Sequence, residues 1–207
     1  MCVDPTSTER INSFALVSYI PEPLSDFLDR LRQELVPNCF LRAHITILPP
    51  RPSKGSPDKD SQSILRGAQG FRPFDVTLNE VEVFPVSDVI HITVGQGERE
   101  LRAMHAALNR EGLEFAEPYP FHPHVTLAQG LKSDEVDELV RVARRRWAEF
   151  SFGRSFRVEK LCFVQATRYK TWIDLDECDL PPPPMTPRPP ATPPIVQGKD
   201  SRVHRPS

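Results

Sequence analysis

Apolar and polar positions alternate between two periods along this chain, and the switches mark its elements. Residues 14–20 form a nearly unbroken apolar run halted by Pro21, the pattern of a buried strand. Leu24, Phe27, Leu28, Leu31 and Leu35 then recur at helical spacing, which predicts an amphipathic helix stopped ahead of Pro37. A strand over 43–48 is expected to close at Pro49 and Pro50. The stretch 51–60, with its Pro, Ser, Gly and Lys residues, reads as a surface loop, and a shorter helix follows over 61–68. Alternation over 74–84 predicts a strand interrupted near Asn79.

The second half repeats this order. Residues 89–94 form a strand, and Leu101, Met104 and Leu108 mark one helical face with Gly112 placed as a C-terminal cap. A loop rich in proline and aromatic residues enters a strand over 124–128. A strong helix starts near Ser133 and carries Val136, Leu139, Val140, Ala143 and Trp147 on one side. Its Asp134 and Glu135 at the start and Arg144, Arg145 and Arg146 at the end suit the helix dipole. Residues 156–164 and 170–175 supply the last strands. Leu24, Phe27 and Leu31 match Leu101, Met104 and Leu108 at a constant offset of 77, and Phe74 and Val76 match Phe156 and Val158 at 82. These offsets predict an internal duplication of a strand–helix–strand–helix–strand unit.

Composition changes the picture at the ends more than in the middle. Of 23 prolines, ten follow Leu180, so residues 181–207 are expected to be a disordered, partly polyproline-II tail. Residues 1–12 are polar and read as a flexible N-terminus, leaving 13–180 as the folded domain. A formal net charge of −2 argues against a protein that coats nucleic acid through many phosphate contacts. The N-terminus has no basic start followed by an apolar stretch, and no apolar run reaches the roughly 18 residues a membrane helix needs. Cys2, Cys39, Cys162 and Cys178 are too scattered for a disulfide-stapled domain, which points to reduced thiols and a cytoplasmic location.

Three His-x-Thr triplets stand out: His44–Thr46, His91–Thr93 and His124–Thr126. Residues i and i+2 of a strand share a face, so each triplet offers an imidazole and a hydroxyl together while its branched residues pack behind. The duplication pairs His44 with His124, 80 residues apart, each in the strand after the first helix of its unit. His91 lies in the strand before its helix and has no mate. It reads as a histidine hydrogen-bonded at the surface or within the sheet.

Two imidazoles and two hydroxyls suit phosphodiester cleavage. One ring takes a proton from the nucleophile, the other gives one to the leaving oxygen, and the hydroxyls donate to the phosphate oxygens. No cluster with metal-ligand spacing accompanies them; His122 and His124 flank Pro123 with no carboxylate beside them. No metal and no cofactor are expected. Phe40, Phe84, Tyr119, Phe121 and Trp172 are the candidates for stacking on a base.

The motifs His44-Ile45-Thr46-Ile47 and His124-Val125-Thr126-Leu127 resemble those of the 2H phosphoesterase superfamily, in particular its 2'-5' RNA ligase-like and RNA 2',3'-cyclic phosphodiesterase branch. The resemblance covers about residues 13–176. It implies an α+β fold, bilobal with pseudo-twofold duplication, in which two antiparallel sheets with flanking helices meet at a central cleft. It also implies His44 and His124 as the catalytic pair, Thr46 and Thr126 on the phosphate, and an RNA terminus or small cyclic nucleotide as substrate. No obligate protein partner is evident, and a monomer is expected. That branch usually carries an arginine after its second motif, where this chain has Gln129. Arg42 and Arg51 could bring positive charge instead, although both read more simply as solvated surface residues. The competing readings are a non-catalytic RNA- or nucleotide-binding module, which would bind without turnover, and a His-dependent metallohydrolase, which a chelator would silence.

Overall fold

The computed structural model describes residues 9–110 and 114–182. Among these residues, eight strands and four helices follow one another as β1 (Arg10–Tyr19), α1 (Leu24–Leu35), β2 (His44–Arg51), α2 (Pro57–Ala68), β3 (Phe74–Phe84), β4 (Val89–Val94), α3 (Glu98–Leu108), β5 (His124–Ala128), α4 (Ser133–Glu149), β6 (Ser155–Val158), β7 (Lys160–Thr167) and β8 (Trp172–Asp179). Every strand pair is antiparallel, in two four-stranded sheets ordered β2-β1-β7-β8 and β5-β4-β3-β6. The fold is α+β, with two antiparallel sheets and flanking helices, as the sequence implies.

The two halves correspond position by position. β2 and β5 are edge strands, β1 and β4 lie next to them, and the third place goes to a strand from the other half of the chain: β7 in the first sheet, β3 in the second. Helix contacts exchange in the same way. α1 packs on β5 while α3 packs on β2, and α1 meets α4 while α2 meets α3. The edge strands β2 and β5 also touch one another. One apolar core joins both halves, with Ile45, Ile47, Ile90, Ile92, Val125 and Leu127 all essentially inaccessible to solvent. The inward face of each edge strand is thereby fixed by the hydrophobic effect, and the other face is left for polar side chains.

Several boundaries differ from the sequence expectation, each for a local reason. β1 starts at Arg10, paired with Thr167, so residues 10–12 belong to the sheet and not to a flexible terminus. β2 runs through Pro49 and Pro50 to Arg51. Proline lacks the N–H that a central strand would need, and an edge strand tolerates it. A register shift opposite Phe14 and Leu16 absorbs the irregularity. α2 begins at Pro57, a residue preorganised for a first helical turn, four residues before the expected start. β3 is continuous, and the interruption expected near Asn79 is a register shift between Leu78 and Val81. The carbonyl of Asn79 accepts the buried Trp147 indole N–H at 2.6 Å, and a buried indole needs such a partner.

The match of Phe74 and Val76 with Phe156 and Val158 does not relate equivalent strands. β3 and β6 are hydrogen-bonded neighbours, Phe74 facing Val158 and Val76 facing Phe156. Both lay the same apolar alternation on one core, so periodicity alone cannot tell a partner strand from a symmetry mate. The predicted 156–164 strand is likewise two strands in different sheets. α3 ends at Leu108, with the Asn109 N–H on the His105 carbonyl at 2.9 Å; Gly112 lies outside the described residues. Residues 1–8 and the proline-rich 183–207 lie outside them too. No helix among the described residues is long and apolar enough to cross a membrane.

Candidate active site

β2 and β5 place their polar faces on one cleft of about 580 Å³ between the lobes. His44, Thr46, His124 and Thr126 all line it, so the four side chains singled out in the sequence are brought together. The reason is the alternation itself. Ile45 and Ile47, and Val125 and Leu127, go to the core, which turns the residues between them outward.

The two imidazoles are held alike. His44 Nδ1 lies 2.7 Å from the carbonyl of Arg42, and His124 Nδ1 lies 2.6 Å from the carbonyl of His122. A carbonyl only accepts, so in each ring the proton sits on Nδ1 and Nε2 is left for other chemistry. Each ring also has an aromatic neighbour lining the cleft: Trp172 at 4.5 Å from His44 and Phe84 edge-on at 5.0 Å from His124.

Burial favours the neutral form of both rings. His44 is pushed down to about 3, first by burial and then by the nearby Arg32 guanidinium, with His124 adding to the effect and the Arg42 carbonyl opposing it. His124 is lowered from its ordinary value by burial and by His122, against the pull of the His122 carbonyl.

Arg32 escaped the sequence reading. It is 3% exposed, lines the cleft from α1, and donates through Nη1 to the carbonyls of Leu41 (2.8 Å) and Arg42 (3.0 Å). The Arg42 carbonyl is the one that holds His44. The available signal was its place one turn after Leu28 on the buried side of the helix, where a charged residue needs a reason. At the offset of 77 the second half has Asn109, which bonds the backbone of Phe115 instead and brings no charge.

Of the other two arginines, one is the surface residue that the sequence suggests and the other is not. Arg42 is exposed, stacks over the Tyr19 ring and pairs with Asp174. Arg51 is not a surface residue. It is 3% exposed and pairs with Glu117 at 2.6 Å and with the Asn109 side chain at 2.5 Å. His105 completes this cluster, donating from Nδ1 to the Ile47 carbonyl at 2.8 Å and stacking on Phe121 at 3.9 Å. Together these contacts fasten the loop 114–123, one wall of the cleft, to β2 and α3. Gln129 lines the cleft where the resembled branch has arginine. The one group of three metal-ligating atoms among the described residues, Cys162, Asp174 and Glu177, does not line the cleft, and Asp174 is already held by Tyr19 and Arg42.

His91 sits inside the sheet, as one of its two sequence readings has it, but it is no bystander. It is 1% exposed, stacks on Phe84 at 3.8 Å and lies edge-on to His124 at 5.3 Å. Its partner across the ladder is Thr126. Nδ1 reaches the Val89 carbonyl at 3.3 Å, and Nε2 has no hydrogen-bond partner among the described residues. Burial, opposed by the Val89 bond, brings this ring down to about 4.

These depressed rings make stability depend on pH. A histidine that ionises near 6.5 when unfolded and lower when folded contributes stability above about 6.5 and loses it as pH falls toward the folded value. The melting temperature should therefore fall between pH 7 and pH 4. His91→Phe, which keeps the stack on Phe84 and removes one titrating group, should flatten that fall. Thermal denaturation of both proteins across this range is the check, and parallel curves would contradict the account.

The sequence profile of the 2'-5' RNA ligase superfamily matches residues 20–170. The chain belongs to this superfamily. Its members include proteins of the 2H phosphoesterase type. One relative, "Putative phosphoesterase SH1944" of Staphylococcus haemolyticus, is 27% identical over 106 residues; the match spans 51% of this chain and 59% of that protein. A "Putative phosphoesterase" of Bacillus licheniformis is 26% identical over 171 residues, 77% of this chain and 97% of that protein. E. coli LigT, crystallised with 3'-AMP, shares the fold with a TM-score of 0.56 at 17% identity, covering 83% of this chain and 98% of LigT. The superfamily assignment and the phosphoesterase relatives support a phosphodiesterase.

Proposed function

We propose that the protein is a metal-independent phosphodiesterase that hydrolyses 2',3'-cyclic phosphate or 2'-5' phosphodiester bonds of RNA ends or small nucleotides by acid–base catalysis with His44 and His124. One observation carries the reading: two imidazoles, each pinned through Nδ1 by a backbone carbonyl, line a single cleft with a threonine hydroxyl two residues after each. With a 2',3'-cyclic phosphate the base ring takes a proton from water as its oxygen bonds to phosphorus. The acid ring gives its proton to the departing 2'- or 3'-oxygen as that P–O bond breaks. Thr46 and Thr126 donate to the non-bridging oxygens, whose charge grows in the transition state. Proton exchange with solvent resets the pair. LigT's binding of 3'-AMP, a nucleoside monophosphate of the kind such hydrolysis yields, agrees with this reading.

Arg32 breaks the near-symmetry of the two rings. A guanidinium donating to the Arg42 carbonyl weakens that carbonyl's hold on a protonated His44, and its charge disfavours the imidazolium directly. His44 is therefore the base and His124 the acid. The sign for activity follows: kcat/KM needs His44 neutral and His124 charged. The acid limb should lie near the His44 value of about 3, and the alkaline limb should fall below the usual histidine value of about 6.5. Arg32→Gln should move the acid limb upward and leave the alkaline limb in place. The test is the pH–rate profile of 2',3'-cyclic AMP hydrolysis, run with and without EDTA. A chelator-sensitive rate, or an alkaline limb shifted by Arg32→Gln, would contradict the assignment.

A further inference from the structure

The cleft is nearly uncharged. Among the described residues that line it, Arg32 and Glu117 are the only Lys, Arg, Asp or Glu side chains. Arg32 donates through Nη1 to two carbonyls, with Asp29 at 3.9 Å, and Glu117 is paired with Arg51. Gln129 adds no charge. A groove that tracks a nucleic-acid strand is lined with cations against successive phosphates, and its affinity falls steeply with salt. This cleft holds one positive side chain for one phosphate.

Its walls are instead flat and apolar. Phe84 and Phe121 both line it, and each has one ring face covered by an imidazole: Phe84 by the buried His91 at 3.8 Å and 12°, Phe121 by the part-buried His105 at 3.9 Å and 4°. Both backing rings are themselves tied to backbone carbonyls, His91 to Val89 and His105 to Ile47. An aromatic ring fixed from behind presents its other face without losing rotamer freedom on binding, which favours stacking of a planar group. The cleft volume of about 580 Å³ falls in the range of roughly 300–1,000 Å³ that encloses a single small-molecule ligand.

We propose that the site is built for a small phosphodiester with one negative charge and one flat aromatic substituent, of mononucleotide size, and that Phe84 is the stacking residue that selects it over a polynucleotide end. The proposal rests on the acid–base reading above and narrows its substrate. It gives the buried His91, which acid–base chemistry does not use, a part in holding Phe84.

The experiment compares adenosine 2',3'-cyclic phosphate with a short RNA ending in the same cyclic nucleotide. The RNA should be hydrolysed with kcat/KM no greater than the mononucleotide's, and both should vary little between low and moderate salt. Phe84→Leu should lower the ratio of activity on adenosine 2',3'-cyclic phosphate to activity on the base-free ribose 2,3-cyclic phosphate. The expected drop is about five- to a hundredfold, the range of base–aromatic stacking, and it should arise mainly from KM. Because the ratio compares two substrates on one protein, a general loss of folded enzyme cancels. A tenfold or larger advantage for the RNA that collapses with salt would overturn the proposal, as would an unchanged ratio. Calorimetry of cyclic mononucleotide and cyclic-ended RNA on the His44→Ala/His124→Ala double variant reads the same preference without turnover. If the wild type hydrolyses neither compound, the acid–base reading fails, and the binding preference still decides this one.

Discussion

Alanine at His44 or at His124 should lower kcat for 2',3'-cyclic AMP by at least about 10²-fold, the low end of what one acid or base contributes. Each ring is held by one carbonyl, which leaves one nitrogen to carry the proton. The Thr46 and Thr126 hydroxyls do not ionise near neutral pH, and Arg32 is always charged, so neither type can serve as the base. The double variant should be little worse than the worse single one, because a pair that moves protons in concert fails once either member is gone. His91→Ala should act differently. It removes the backing of Phe84 and an edge contact to His124, so KM should rise while kcat falls less than about tenfold, below the loss of a direct proton carrier. Steady-state kinetics on the four variants checks this, and equal losses from all three single substitutions would mean that the histidines are wrongly paired.

Arg51→Met should produce the largest loss of stability. Arg51 and Glu117 form an ion pair at 2.6 Å with side-chain exposures of 3% and 11%. Removing the cation leaves the mostly covered Glu117 carboxylate with only the His105 ring, 3.6 Å away, beside it, and breaking such a pair typically costs about 3–5 kcal/mol. At 2–4 °C per kcal/mol for a protein of this size, Tm should fall on the order of 10 °C. The same substitution loosens the loop 114–123 at the cleft wall, so KM should rise in protein that remains folded. Adding Glu117→Gln removes the stranded charge and should return part of the stability. Arg42→Ala is the contrast: its pair with Asp174 is solvent-exposed and should contribute less than about 1 kcal/mol. Thermal melts of the four proteins separate these outcomes, and a larger loss from Arg42→Ala would reverse the picture.

The sequence made the elements readable because each lays an apolar face on one core. The α1 stripe of Leu24, Leu28, Leu31 and Leu35 and the β5 alternation of Val125 and Leu127 are instances where period and burial coincide. The same logic brought His44 and His124 to equivalent strands, and the structure sets both on one cleft. What stayed hidden depends on contacts between distant segments. Nothing local to Arg51 announces Glu117, 66 residues away, and two prolines beside it argued for a loop. Arg32 lies on a helix whose pattern explains its leucines but not its guanidinium; its purpose is visible only once the carbonyls of Leu41 and Arg42 fold back onto it. His91 was set aside for lacking a mate in the repeat, yet it neighbours β5 in the sheet, and ladder neighbours meet as closely as symmetry mates do.

The central claim is that both imidazoles act on one phosphorus atom. A crystal structure with adenosine 2',3'-cyclic vanadate, a mimic of the five-coordinate transition state, tests it most directly. Vanadium should lie between the rings, with apical oxygens about 2.6–3.2 Å from His44 Nε2 and His124 Nε2, the reach of proton transfer, and equatorial oxygens on the Thr46 and Thr126 hydroxyls. A vanadate touching only one histidine, or bound outside the cleft, would contradict the account.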